Sequence, residues 1–95
     1  MIAIARFKVP AAQSAEFQAQ IERALHVFSE RDGFISGDFG QNLDENELWT
    51  LVTHWKNVGS YRRSLSSTQV KMEVVPLLAT AIDEPGAYER SIFDS

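Results

Sequence analysis

The stretch Glu47–Leu65, ELWTLVTHWKNVGSYRRSL, constrains the fold of this chain more than any other part of the sequence. Its first half, Leu48–Trp55, is rich in aromatic and β-branched residues, which suit a pleated and buried strand. Asn57 is a residue type that favours the start of a helix. Apolar residues with helical spacing follow it at Val58, Tyr61 and Leu65. The stretch therefore predicts a strand, a tight turn and a short amphipathic helix.

A strand and a long helix are predicted before this stretch. Residues 1–9 alternate weakly, as in a strand, and Pro10 can end the strand and open a helix, with Ser14 as a competing cap. A helical stripe of apolar residues then follows at Phe17, Ile21, Ala24, Leu25 and Phe28. The helix is expected to end near Arg31, because Gly33 can supply the left-handed residue that often follows a helix.

A β-hairpin is predicted between the long helix and the end of strand Leu48–Trp55. Phe34–Asn42 resumes extended structure. Simple alternation assigns Phe34, Ser36 and Asp38 to one face, and Ile35, Gly37 and Phe39 to the other. Residues 43–46 form a connection of hairpin length, so the strands at 34–42 and 47–56 are expected to pair antiparallel.

The last third of the chain predicts helices and a final strand. Ser66 and Gln69 have the spacing of a capping box. A second apolar stripe follows at Val70, Val74, Leu77, Leu78 and Ala81. Pro76 lies within this stripe and predicts a kink or two abutting helices. After a Pro-Gly turn, Ala87–Phe93 can form the last strand.

The order of elements predicts an α+β domain of the ferredoxin-like type. A split β-α-β-β-α-β order places the helices on one face of an antiparallel sheet. The other face of such a sheet is normally polar, yet the third strand carries Leu48 and Val52 beside Thr50 and His54 on that side. We therefore expect a homodimer in which two sheets pack face to face.

The length and charge of the chain narrow its class. Residues 1–95 are expected to form a single domain. The net charge of -4 is scattered without a basic stripe, which argues against nucleic-acid binding. The absence of cysteine excludes thiolate catalysis and is compatible with the reducing cytoplasm, which is the expected location. No secretion signal and no membrane-spanning run are expected from the sequence.

Three sequence features carry a resemblance to a known family. They are Phe17 in the first helix, the Asp32-Gly33-Phe34 step into the second strand, and above all VTHWKNVGSYRRSLSS. With them the chain resembles the antibiotic biosynthesis monooxygenase-like family of dimeric α/β barrels over nearly its whole length. The resemblance implies a pocket between the helices and the sheet of each subunit. The members of that family include cofactor-independent oxygenases of aromatic polyketides, quinol oxygenases and haem-degrading enzymes, so the resemblance implies a relationship to these enzymes.

The resemblance also implies candidate site residues. Trp55 matches the tryptophan at the strand end of the family, and Tyr61 lies where the polyketide oxygenases place a tyrosine, so both are catalytic candidates. Leu51 stands where those oxygenases use an asparagine. The implied pocket gives four ligand-binding candidates, Phe17, Ile21, Leu51 and Arg62. The asparagine and histidine of the haem-degrading branch have no counterparts, so neither haem nor any other cofactor is expected.

The residues themselves leave two interpretations of Trp55 and Tyr61 open. The pair can hold a flat aromatic ligand by stacking and a phenolic hydrogen bond, or it can be ordinary core packing. His54 is by residue type the natural proton acceptor to consider, but strand alternation points it to the face opposite Trp55. His26 is expected in solvent. Two separated histidines and no thiols do not predict a metal site.

Two functions are therefore compatible with the sequence. The first is a homodimeric, cofactor-independent monooxygenase acting on a small aromatic or quinol-type molecule. The second is a non-catalytic ligand-binding or regulatory dimer of the same fold, which Leu51 and the lack of an evident base favour.

Overall fold

A computed structural model describes residues 1–93 of the chain. Its elements are β1 (Ile2–Lys8), a 3₁₀ turn (Ala11–Gln13), α1 (Ser14–Ser29), β2 (Phe34–Gln41), β3 (Leu48–Trp55), α2 (Val58–Ser64), α3 (Thr68–Glu73), α4 (Val75–Leu78) and β4 (Ala87–Tyr88). The four strands form one antiparallel sheet in the order β2-β3-β1-β4. This arrangement confirms the predicted α+β, ferredoxin-like fold.

The side chains of the central strand β3 alternate between the two faces of the sheet. Its inward residues Trp49, Leu51, Thr53 and Trp55 are 1–5% exposed, whereas the residues between them are only half-buried. The inward face meets the helices, since Trp49 packs against Phe17 of α1 and Trp55 packs against Phe28 of α1. One hydrophobic core therefore lies between the sheet and the helices.

The predicted hairpin of β2 and β3 is confirmed, but a β-bulge changes the faces of β2. Phe34 pairs with Trp55 and Ser36 pairs with His54, so Ile35 is an extra residue in β2. The extra residue interrupts simple alternation. Phe34 therefore lies on the helix side of the sheet with Gly37, and its predicted grouping with Ser36 is wrong.

Helix α1 begins and ends slightly differently from the prediction. Pro10 opens the short 3₁₀ turn, and α1 itself begins at Ser14, whose hydroxyl donates to the Ala11 carbonyl. The helix ends at Ser29, two residues before Arg31. Gly33 has a φ of 84°, as expected for the residue that redirects the chain after a helix.

The short helices after β3 follow most of the predicted signals. Asn57 caps α2, because its side-chain oxygen accepts a hydrogen bond from the Ser60 amide at 2.8 Å. The cap of α3 is Ser67, so the capping box predicted at Ser66 is wrong by one residue. The helix is broken at Val74, with Pro76 in the first turn of α4, which confirms the two abutting helices.

The last strand is much shorter than the predicted Ala87–Phe93. Tyr88 pairs with Ile2 and Ala87 with Ala3. Because the pairing is antiparallel, the residues after Tyr88 run past the beginning of β1, where little backbone remains to pair with them. The segment before β4 is held to β1 by the Arg6–Glu84 ion pair at 2.7 Å.

None of the helices within residues 1–93 is long and apolar enough to cross a membrane.

Candidate functional site

A cavity of about 240 Å³ lies between the inward face of the sheet and the helices. Leu51 and Thr53 of β3 line its floor, and Phe28 of α1 and Tyr61 of α2 line the opposite side. The two-residue strand β4 and the preceding Gly86 form one edge. The cavity is thus built by elements that are distant in sequence, and we call it the inner cavity.

Among the described residues that line the inner cavity, Tyr61 alone has a titratable side chain. Its ring centroid lies 5.5 Å from that of Trp55 and 6.3 Å from that of Phe28. Burial raises the pKa of the Tyr61 phenol above its ordinary value. Within residues 1–93 its hydroxyl has no protein hydrogen-bond partner. Tyr61 therefore offers a neutral phenol to the cavity at neutral pH.

Trp55 lies one layer behind the cavity wall. Its side chain is 1% exposed and is surrounded by the rings of Phe28, Phe34 and Tyr61 at centroid distances of 5.2 to 5.5 Å. Its indole Nε1 donates to Thr53 Oγ1 at 2.8 Å. Trp55 touches Tyr61 and Thr53, whereas those two residues line the cavity itself.

The other site residues predicted from the sequence are distributed over the molecule. Leu51 lines the inner cavity with Tyr61. Ile21 is fully buried in the core, and Phe17 lies beside a separate surface groove. Arg62 is exposed and lines neither space. The structure therefore brings together Leu51 and Tyr61, with Trp55 behind them.

The separate groove lies between the beginning of α1, the end of β1 and α4. Its volume is about 750 Å³, and buried side chains such as Phe7 and Phe17 form its floor. Its polar side chains are at the surface, and the charged pair on its wall, Arg23 and Glu73, is already joined at 2.9 Å. None of the described groove residues is a buried polar residue like Thr53 of the inner cavity, so the inner cavity is the better candidate site.

Neither histidine faces the inner cavity. His54 pairs with Ile2 and Ser36 on the outward face of the sheet, opposite Trp55 as predicted. His26 is exposed and lies 3.4 Å from a carboxylate oxygen of Glu30. No group of three or more histidine, cysteine, aspartate or glutamate side chains that could hold a metal ion occurs in residues 1–93.

Thr53 is a polar lining residue of the cavity that was not among the site residues predicted from the sequence. It is 2% exposed, and among the four inward residues of β3 it alone carries a hydroxyl group. The available signal was its position two residues before Trp55, which places both side chains on one face of the strand. That spacing alone does not show a cavity beside the hydroxyl.

Comparison with known proteins finds solved structures of the same fold. The crystal structure of SnoaB, a cofactor-independent oxygenase from Streptomyces nogalater, superposes with a TM-score of 0.79 at 21% identity, covering 99% of this chain and 96% of that chain. A conserved protein from Methanosarcina mazei superposes with a TM-score of 0.73 at 23% identity, covering 90% and 84%. No match was found among curated protein sequences.

At these identities the structural likeness shows the fold alone. The sequence model of the antibiotic biosynthesis monooxygenase family matches residues 1–72, which include β1, α1, the hairpin, α2 and the beginning of α3. The match contains both Tyr61 and the inward residues of β3. The chain belongs to the antibiotic biosynthesis monooxygenase family.

Proposed function

We propose that this protein is a cofactor-independent monooxygenase that oxidises a small aromatic or quinol-type molecule in the inner cavity. The observation that carries the proposal is the Tyr61 hydroxyl, which has no protein hydrogen-bond partner within residues 1–93 and lies among lining side chains that, apart from Thr53, are apolar. Membership of the family and the fold likeness to a cofactor-independent oxygenase support it. The cavity volume of about 240 Å³ suits a small ring system rather than a large polyketide.

In the proposed reaction the substrate itself supplies the electrons that reduce O₂, because no cofactor takes part. An activated ring CH₂ group and O₂ give a carbonyl and water, so one oxygen atom enters the product and both hydrogens leave in water. The substrate first loses a proton to solvent water, because none of the described lining residues is a general base, and becomes an electron-rich anion. A neutral phenol at Tyr61 donates a hydrogen bond to the oxygen of that anion, and the apolar side chains of the wall contact its ring.

A homodimer through the outward face of the sheet is part of the proposal. That face carries the apolar residues Ile2, Ile4, Leu48 and Val52, which are only half-buried in the single chain. His54 and Thr50 lie among them. An apolar sheet face of this kind is typically covered by a partner, and a second copy of the chain presents the same surface.

Oxygen uptake in the presence of hydroquinones and anthrones tests the activity. We expect consumption of O₂ with at least one compound, with product oxygen derived from ¹⁸O₂. Tyr61→Phe should lower the rate about 10-fold or more, as loss of one hydrogen bond to a charged oxygen predicts. Tyr88→Phe is the matched control, because the Tyr88 hydroxyl donates to the Pro85 carbonyl and does not line the cavity.

Unchanged oxygen uptake across the whole panel would count against an oxygenase. It would favour the second candidate, a dimer that binds a small aromatic molecule without transforming it. The observation behind this candidate is the cavity wall itself, in which Leu51 provides no polar group and Tyr61 is the one titratable side chain among the described residues. Because the pKa of the Tyr61 phenol is raised, Tyr61 is a donor rather than a base, so the described part of the wall contains no general base. Ligand binding without oxygen uptake is the expected result in that case.

A further inference from the structure

We infer that the Thr53 hydroxyl, oriented by the Trp55 indole, is the hydrogen-bond donor that recognises an acceptor oxygen on the ligand of the inner cavity. The inference rests on the proposed function, because it assumes that the cavity receives an aromatic molecule that carries oxygen. It assigns a role to a residue outside the tryptophan, tyrosine and asparagine positions that the family resemblance implies.

The position of Thr53 directs its side chain. Thr53 pairs with Gly37 of β2 on one side and with Ala3 of β1 on the other. Its methyl group faces Gly37, where an added Cβ would lie 3.4 Å from Thr53 Cγ2. Its Oγ1 accepts the hydrogen bond from Trp55 Nε1 at 2.8 Å. Thr53 and Ala3 both line the inner cavity.

The hydrogen of the Thr53 hydroxyl is uncommitted. The oxygen already accepts a bond from Trp55, and residues 1–93 contain no acceptor bonded to the hydroxyl hydrogen. A hydroxyl has one donor and two acceptor lone pairs, so it can donate to a ligand without losing the indole bond. A hydroxyl that accepts one hydrogen bond becomes a better donor of its own.

The remaining wall restricts what the ligand can offer. Among the described lining residues, Thr53 and Tyr61 are the two with polar side chains, and the others are apolar or glycine. Both groups can donate to a ligand, because Tyr61 is neutral and neither hydroxyl hydrogen has an acceptor within residues 1–93. The wall therefore suits a small aromatic compound with a carbonyl or phenolate oxygen, which accepts hydrogen bonds and needs to donate none.

Binding of 1-tetralone and of tetralin to the purified protein tests the inference. The two compounds share a bicyclic frame, and only 1-tetralone carries an acceptor oxygen. We expect tighter binding of 1-tetralone, measured by titration calorimetry. Thr53→Val should reduce the preference for 1-tetralone about 2- to 10-fold, the effect of one neutral hydrogen bond, while Thr53→Ser should restore it.

The indole protons give a second measurement that does not depend on how well Thr53→Val folds. Trp55 donates to Thr53, whereas Trp49 Nε1 is buried without a partner and serves as the internal reference. In ¹H–¹⁵N spectra of the wild-type protein, 1-tetralone should move the Trp55 indole proton downfield, because donation by Thr53 strengthens the bond that it accepts. Tetralin should leave this shift unchanged apart from ring-current effects common to both compounds.

The outcomes separate the inference from the proposed function. Equal binding of the two compounds by the wild-type protein, or a preference that is undiminished in Thr53→Val, would overturn the role of Thr53 and leave the inner cavity as a binding site. Failure of both compounds to bind would overturn the inference and the proposed ligand class together. A Trp55 indole shift that is the same for both compounds would contradict donation by Thr53.

Discussion

At the scale of single residues, Gly33 shows how one backbone conformation fixes the connection between α1 and β2. Its φ of 84° lies in the left-handed region, and an added Cβ would overlap the side chain of Ser60. Ser60 belongs to α2 and is 4% exposed, so it has little room to move. Gly33 therefore lies where the connection between α1 and β2 packs against α2.

Substitution of Gly33 by alanine should destabilise the protein. We expect a loss of about 1–3 kcal/mol in the free energy of unfolding, because both the positive φ and the contact with Ser60 oppose a side chain. Gly40→Ala is the matched control, since an added Cβ there meets nothing within 4 Å. Urea denaturation measures both variants. Equal stabilities of the two variants would contradict the role given to Gly33.

Tyr61 makes a second prediction at this scale, on pH dependence. Burial raises its pKa in the folded protein above the value of about 10 that an exposed tyrosine has. The folded state therefore favours the neutral phenol. The corresponding stability is fully present below the unfolded pKa and is lost as pH rises through the folded pKa.

Spectrophotometric titration of the phenolate absorption checks this prediction. The wild-type protein should show a component that ionises above the ordinary tyrosine range. Tyr61→Phe should remove that component, whereas Tyr88→Phe should retain it, because burial is the cause and Tyr88 is 47% exposed. Retention of the high-pH component in Tyr61→Phe would assign it to another group and refute the prediction.

At the scale of elements, the helix caps show where sequence signals suffice and where they do not. Asn57 precedes a helical stripe and caps α2 as predicted. Two consecutive serines, Ser66 and Ser67, follow α2, and local sequence does not decide which of them caps α3. The structure selects Ser67, whose hydroxyl also accepts a hydrogen bond from Arg31 at 3.2 Å. The cap at Ser67 is thus accompanied by a contact with Arg31, which is distant in sequence and lies in the connection between α1 and β2.

Removal of the Asn57 cap should weaken α2 and with it the placement of Tyr61. We expect Asn57→Ala to lower the free energy of unfolding by about 1 kcal/mol, because the Ser60 amide loses its acceptor. Asn57→Asp keeps an acceptor oxygen and should stay close to wild type. The measurement is again urea denaturation. A wild-type stability for Asn57→Ala would show that the cap contributes nothing to α2.

The strands illustrate the same limit of sequence interpretation. Alternation correctly assigned all eight residues of β3 to their faces, because that strand is regular and pairs on both sides. The bulge at Ile35 and the early end of β4 escaped prediction. Both depend on which residue of a neighbouring strand lies opposite, and that register is not encoded in the pattern of one segment.

At the scale of the whole molecule, the outward face of the sheet makes a prediction about assembly. Val52 lies near its centre, paired with Ile4 of β1 and Asp38 of β2. In the proposed dimer, Val52→Glu would place a charge in each half of an apolar interface and beside Asp38. We expect the dimer to weaken at least about 100-fold, since burying unpaired charges is costly.

Sedimentation at micromolar concentration distinguishes the two states. The wild-type protein should sediment as a dimer and Val52→Glu as a monomer. Leu43→Glu is the control, because Leu43 is fully exposed in the loop between β2 and β3 and should not affect assembly. A stable wild-type monomer would exclude the proposed dimer, and a Val52→Glu dimer would exclude this face as its interface.

The sequence by itself determined the order of the elements and most of the core. Helical spacing and strand alternation are local properties, so Phe17, Ile21 and Phe28 were placed in the core, and Trp55 and His54 on opposite faces, before any contact was known. Only the tertiary structure decided the composition of the inner cavity. Phe28, Thr53, Tyr61 and Gly86 come from four separate parts of the chain, and their meeting depends on how the helices and β4 pack on the sheet. That packing placed Trp55 behind the wall and Thr53 at the wall, because a side chain's distance from a cavity depends on neighbours that its own segment does not contain.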